Sequence, residues 1–126
     1  MTAVDAPTPV VLLVDDFDVI LSIYEEVLQD AGIRVHVAAS GQEAIDKAVA
    51  HRPDLIVMDL KMPGLDGFET TRQLKTDHRT SEIPVLAFAG GDASASRLLA
   101  TGFIGLIKKP STREEFIAAI TPHLRR

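Results

Sequence analysis

Three apolar runs in this sequence each end on a charged residue able to do chemistry. Val10 to Val14 stops at Asp15-Asp16, Leu55 to Met58 stops at Asp59, and Gly105 to Lys108 is followed by Lys109. If the runs are strands of one parallel sheet, three carboxylates crowd one rim with an amine opposite. Carboxylates that close raise one another's pKa unless a cation lies between them. A hard ion such as Mg²⁺ meets that need, held by one or two carboxylates, a backbone carbonyl and waters. The lysine is a mobile point charge suited to a phosphate oxygen. Such a rim supports in-line phosphoryl transfer, in which metal and amine neutralise the equatorial oxygens while a carboxylate attacks. Asp59 is the better nucleophile, because the adjacent Asp15-Asp16 pair suits metal. Taken singly, each acid reads equally well as a turn or helix-cap residue. Asp18 is read as no more than the N-cap of a helix. The ordered set after separate runs is what points to a site.

The elements that must position these residues alternate along the chain. After the first run, Ile20, Ile23, Tyr24, Val27, Leu28 and Ala31 follow helical spacing, and Gly32 sits where a left-handed cap would end the helix. The Ile and Leu stripe from Ile20 to Leu28 reads as core. Arg34 to Ala38 is a second strand. Ser40 and Glu43 form a capping box for a helix reaching about His51, with Pro53 beyond. After the third strand, a loop with Pro63, Gly64 and Gly67 leads into a helix from about Phe68 to Thr76. Pro84 to Phe88 is a fourth strand, followed by Gly90-Gly91 and a short helix around Ala95 to Thr101. Gly105 to Lys108 is a fifth, and Ser111 with Glu114 caps a last helix whose apolar face is Phe116, Ile117, Ile120 and Leu124. Five βα units with continuous apolar strands predict a parallel sheet covered on both faces, with functional residues at the carboxyl ends of its strands.

Composition narrows the function classes. The chain has 126 residues, 46% of them hydrophobic, and no cysteine. One domain of that size buries a sufficient core without staples. Without cysteine there are no disulfides and no thiolate metal sites or nucleophiles, which fits a reducing cytoplasm. A net charge of −5, with no basic run longer than Lys108-Lys109 or Arg125-Arg126, argues against nucleic acid as a ligand. No apolar run is long enough to cross a bilayer, so a soluble chain with no membrane partner is expected. Residues 1–9 read as a short disordered leader and 10–126 as the domain. His36, His51, His78 and His123 lie far apart in sequence without ligand spacing and are assigned no role.

The segments VLLVDD at 11–16, DLIVMDLKMPGLDG at 54–67, IPVLAFAG at 83–90 and GFIGLIKKP at 102–110 closely resemble the receiver domains of two-component response regulators. The likeness runs from Val11 to the last helix. It implies a flavodoxin-like doubly wound fold, (βα)5, with strand order 2-1-3-4-5. It also implies that Asp59 is both the phosphoacceptor and a metal ligand, Asp16 a direct Mg²⁺ ligand, and Asp15 a ligand mainly through metal-bound water. Lys61 would lend its backbone carbonyl to the metal, Lys109 would contact the phosphoryl group, and the Lys109-Pro110 bond would be cis. The implied partners are a histidine kinase or phosphotransfer protein and a downstream protein target. That target is read by the face of the fourth helix, fifth strand and last helix, including Arg97, Lys108 and Thr112. A monomer or weak homodimer is implied.

Two positions depart from the family pattern. Ala89 stands where Thr or Ser normally offers a hydroxyl to the phosphoryl group, and Leu106 stands where Tyr or Phe normally reports phosphorylation. The connection from Ala89 to Lys109 also looks a residue or two short. A hydrogen bond to a charged group contributes about 1.5–3 kcal/mol, and a near-complete two-state switch needs about 5.5 kcal/mol. The missing hydroxyl thus removes up to about half the drive. The amides of Gly90 and Gly91 are candidate replacements, because glycine lets an anion approach the backbone closely. Their simpler reading is loop flexibility.

The leading expectation is a stand-alone phosphoacceptor with non-standard switching. A phosphorylation-independent interaction module is the alternative that Ala89 and Leu106 suggest. A haloacid-dehalogenase-type phosphatase lacks support, because Lys61 stands where its second aspartate belongs. A flavodoxin-like cofactor binder is disfavoured by the acidic loop after the first strand. The expected class is therefore a signalling domain, not an enzyme beyond self-phosphorylation and autodephosphorylation.

Overall fold

The computed structural model describes residues 8–124; most of the expected leader and the Arg125-Arg126 pair lie outside that range. Elements alternate in chain order as β1 (Val10–Val14), α1 (Asp18–Asp30), β2 (Arg34–Ala38), α2 (Gly41–His51), β3 (Leu55–Asp59), α3 (Gly67–Thr76), β4 (Val85–Ala89), α4 (Ala95–Thr101), β5 (Gly105–Lys108) and α5 (Arg113–Ile120). All four strand pairings are parallel, in the order β2-β1-β3-β4-β5. This is the expected doubly wound sheet. β1 and β3 are neighbours, so the chain reverses its direction of winding between them and their carboxyl ends open one crevice.

The sheet separates two apolar clusters. Leu12, Val14, Ile56, Met58, Val85 and Ala87 point to the face covered by α2, α3 and α4. Val11, Leu13, Leu55, Val57, Leu86 and Phe88 point to the face covered by α1 and α5. Alternate residues of one strand thus serve opposite layers, which is why the three central strands read as unbroken apolar runs.

Several boundaries differ from the sequence expectation, each for a physical reason. β4 begins at Val85 instead of Pro84, since proline has no N–H to donate; its carbonyl still accepts from Ile56. Asp18 is the first helical residue and not the N-cap of α1, which is Phe17 and has no side-chain cap bond. Leu21, with Tyr24, Val27 and Leu28, forms the buried side of α1, while Ile23 is 50% exposed, so the expected core stripe is rotated. Gly32 adopts φ +81°, in the left-handed region expected of it.

Capping chemistry shifts as well. In α2, Ser40 accepts from the Glu43 N–H as expected, but the Glu43 carboxylate accepts from Ala39 rather than closing the box. In α3, Asp66 and Glu69 cap each other reciprocally, moving the helix start to Gly67. In α5 the reciprocal box is Thr112 with Glu115, not Ser111 with Glu114. Ser111 is otherwise engaged: its hydroxyl donates to the Lys108 carbonyl at 2.6 Å, and its main chain exchanges hydrogen bonds with the Tyr24 hydroxyl. The fold also joins two histidines that sequence spacing kept apart. The rings of His36 and His51 stack with centroids 3.8 Å apart, and burial, then the charges of His51, Arg34 and Lys47, lower the His36 pKa.

Candidate functional site

The carboxyl ends of β1, β3 and β5 bring the expected acids and lysine together. Carboxylate oxygens of Asp15, Asp16 and Asp59 lie within 4.8 Å of one another. Asp15 and Asp59 are buried, whereas Asp16 faces solvent. β1 and β3 run side by side, Val14 opposite Met58, so the acids that follow or end them share one level. Asp59 is the last residue of β3 and pairs with Phe88 of β4, which places its carboxyl at the rim rather than in the loop beyond.

Lys109 reaches this cluster across β4. Its Nζ lies 2.6 Å from Asp15 Oδ2 and 3.2 Å from Asp59 Oδ1, and 5.0 Å from the centroid of the Phe88 ring. The amine is thus bound more tightly to Asp15 than to Asp59. The second oxygen of Asp15 accepts the Phe17 N–H at 3.0 Å, so each Asp15 oxygen has one protein contact and a further lone pair. That direct ion pair was not legible in the sequence, where Asp15 was expected to act mainly through water. The Lys109-Pro110 peptide is cis, as expected.

The electrostatics follow from the geometry. Burial raises the Asp59 pKa to about 6, and the charge of Asp15 adds to the rise; Lys109 and the Lys61 N–H oppose it. Burial pulls the Lys109 pKa down, but the hydrogen bond to Asp15 and the charges of both acids outweigh it, so the net direction is up. One cation therefore serves two buried carboxylates with a third nearby. This set of hard oxygen donors, short of positive charge, fits a small divalent cation such as Mg²⁺.

The remaining sequence candidates lie around this centre. The Lys61 N–H lies 3.4 Å from Asp59 Oδ1, so its peptide adjoins the carboxylate. Ala89 ends β4 at the rim, and its carbonyl accepts the Lys109 N–H at 2.9 Å. A Cβ on Gly90 would stand 3.6 Å from that of Lys109, so Gly90 packs against the lysine, while Gly91 is open. Leu106 is opposite Ala87 and packs, half-buried, on the face beneath α4, away from the acids.

Two contributors escaped the sequence reading. Tyr24 supports the β5–α5 turn through Ser111, and its ring packs edge-on against Phe88, centroids 5.0 Å apart, below the lysine. Only the unusual hydroxyl on an otherwise apolar helix stripe hinted at it. Arg97, expected on the contact face, is exposed on α4, and its guanidinium also lies 3.7 Å from the Phe68 ring centroid and lines a cleft with Leu60 and Lys61.

Comparison with known proteins agrees with this arrangement. Residues 11–121 match the response regulator receiver domain family. The chain is 33% identical over 121 residues to the polar-differentiation response regulator DivK of Brucella ovis, covering 93% of this chain and 97% of that protein. Among solved structures, the Vibrio cholerae chemotaxis protein CheY4 superposes with a TM-score of 0.89 at 31% identity, covering 94% of this chain and all of the other. The receiver domain of the sensor histidine kinase PA1611 from Pseudomonas aeruginosa, which holds a magnesium ion in its active-site cleft, gives a TM-score of 0.85 at 28% identity, covering 94% and 98%. Fold, acidic rim and family match converge: the chain belongs to the response regulator receiver domains of two-component signalling.

Proposed function

We propose that this receiver accepts a phosphoryl group on Asp59 from a histidine kinase or phosphotransfer protein, in the cytoplasm, and signals by contact with a downstream protein. The observation that carries the reading is the convergence of three carboxylates within 4.8 Å around a rim where Lys109 bridges Asp15 and Asp59. An Asp59 oxygen forms the new P–O bond as the P–N bond of the donor phosphohistidine breaks, and the leaving imidazole keeps the electron pair. With a pKa of about 6, Asp59 is mostly ionised at neutral pH and can attack. Asp15, Asp16 and Asp59, with the Lys61 carbonyl, are the residues to hold Mg²⁺. The bound ion would neutralise charge on the phosphoryl oxygens. Lys109 then exchanges part of its contact with Asp15 for a phosphoryl oxygen, and the Gly90 and Gly91 amides are further donors.

Switching is non-standard in this reading. Ala89 offers no hydroxyl, and Leu106 is half-buried and has no polar tip, so phosphorylation does not drive the fifth-strand side chain as an aromatic would. Incubation with Mg²⁺ and acetyl phosphate is expected to give a hydroxylamine-sensitive adduct that Asp59→Asn abolishes. An unmodified wild type, or an adduct that persists in Asp59→Asn, would overturn the reading.

Ala89 and Leu106 also favour a second reading, a phosphorylation-independent interaction module. It predicts equal partner affinity for wild type and Asp59→Asn. A change of more than about tenfold on phosphorylation, about 1.4 kcal/mol, excludes it.

A further inference from the structure

Arg97, an exposed residue of α4 that the family likeness puts on the contact face, also packs against a ring of α3. Its guanidinium carbon lies 3.7 Å from the centroid of Phe68, which packs edge-on against Phe103 with centroids 5.7 Å apart. The arginine thus turns toward α3. It lines a cleft of about 400 Å³ that it shares with Leu60, Lys61, Ala89 and Gly91. Leu60 and Lys61 directly follow the proposed phosphoacceptor, and Ala89 stands where the family pattern has a hydroxyl. Asp66 and Asp92 also line the cleft, but among the described residues no carboxylate pairs with Arg97. Asp66 is occupied in capping α3.

We propose that Arg97 is a second phosphoryl-binding cation, which leaves the Phe68 ring to take the phosphoryl oxygen that Ala89 leaves without a hydroxyl donor. The inference rests on the reading of Asp59 as phosphoacceptor. The Phe68 ring, itself buried, offers the guanidinium no hydrogen bond, whereas an arginine on a phosphoryl group forms paired charge-assisted hydrogen bonds in a fixed planar fork. The balance therefore favours the anion once it forms. The side chain already lines the cleft that Leu60 and Lys61 also line, and the Gly90-Gly91 link precedes α4. Departure of Arg97 uncovers Phe68 and disturbs its contact with Phe103. The signal would then leave through the α3–α4 seam, bypassing Leu106.

Beryllofluoride, titrated with saturating Mg²⁺ into wild type, Arg97→Gln, Ala89→Thr and the double variant, tests this. Arg97→Gln is expected to weaken binding by about tenfold or more in the native background. With Ala89→Thr restoring a hydroxyl, the same change is expected to cost less than about threefold. The Phe68 ring resonances are expected to shift on binding in wild type and not in Arg97→Gln. Equal affinity of wild type and Arg97→Gln overturns the inference, as does an equal loss in both Ala89 backgrounds. A parallel loss of Mg²⁺ affinity also overturns it, since Arg97 would then act on the site's fold. If wild type binds no beryllofluoride, the phosphoacceptor reading fails and takes this inference with it. Binding that is indifferent to Arg97 sinks the inference alone.

Discussion

Asp59 holds its proton more firmly than an ordinary aspartate because two effects of the rim add while one cation is shared. Its pKa rises from 3.8 to about 6, chiefly through burial and then through Asp15. Because the shift is upward, the folded state binds this proton more tightly than the unfolded chain, so stability falls as pH rises between those values. The cost is up to about 3 kcal/mol, fully present above pH 6 and absent below about pH 4. In urea denaturation with chelator present, Asp59→Asn is expected to be more stable than wild type by about 1–3 kcal/mol at pH 7. The two should converge near pH 4. An Asn variant less stable at pH 7 would show that attraction to Lys109 outweighs desolvation. The same charge imbalance makes Mg²⁺ a stabiliser: a saturating excess of 100 times its Kd is expected to add about 2.7 kcal/mol to the wild type.

At the scale of elements, the site depends on how closely α3 approaches the end of β3. Gly67 opens α3, and a Cβ there would stand 2.2 Å from the Asp59 carbonyl oxygen and 2.8 Å from the Leu60 Cα. Both obstacles are backbone, so neither can swing away. Gly67→Ala is expected to cost about 1–3 kcal/mol or more and to weaken Mg²⁺ binding by moving the carboxyl that ends β3. Unchanged urea midpoint and metal affinity would mean that the helix shifts freely. A second feature of α3 works against stability. The Thr71 hydroxyl is fully buried and, among the described residues, has no hydrogen-bond partner. Thr71→Val keeps the shape and removes the unpaired group, so thermal unfolding is expected to show a gain of about 1 kcal/mol.

Across the whole molecule, the sheet insulates one layer from the other. Ile56 belongs to the cluster under α2, α3 and α4, and Ile120 to the cluster under α1 and α5. Each Ile→Val change is expected to cost about 0.5–1.5 kcal/mol. Together they should add to within about 0.5 kcal/mol, because they share no partner. Coupling above about 1 kcal/mol would reveal strain passing through the sheet. Such insulation bears on signalling. In the proposed reading a phosphoryl group on Asp59 would bear on both layers, through Lys109 over Phe88 and through the cleft that Arg97 lines, whereas Leu106 packs on one side only.

Alternation of the elements, the parallel sheet and the set of rim residues were legible in the chain's own order, because each rests on local pattern. Apolar runs ending in Asp15-Asp16, Asp59 and Lys109 needed only the rule that parallel strands present their carboxyl ends together. Capping was legible in kind but not in register at α5, where Ser111 and Thr112 each precede a glutamate by three residues. The choice fell to Tyr24, 87 residues away, which occupies the Ser111 main chain. Tertiary structure alone decided that Lys109 binds Asp15 more closely than Asp59, that His36 stacks on His51, and that Arg97 lies over Phe68. Each is a contact between side chains from distant segments, whose partner is set by sheet register and helix rotation rather than by neighbouring sequence.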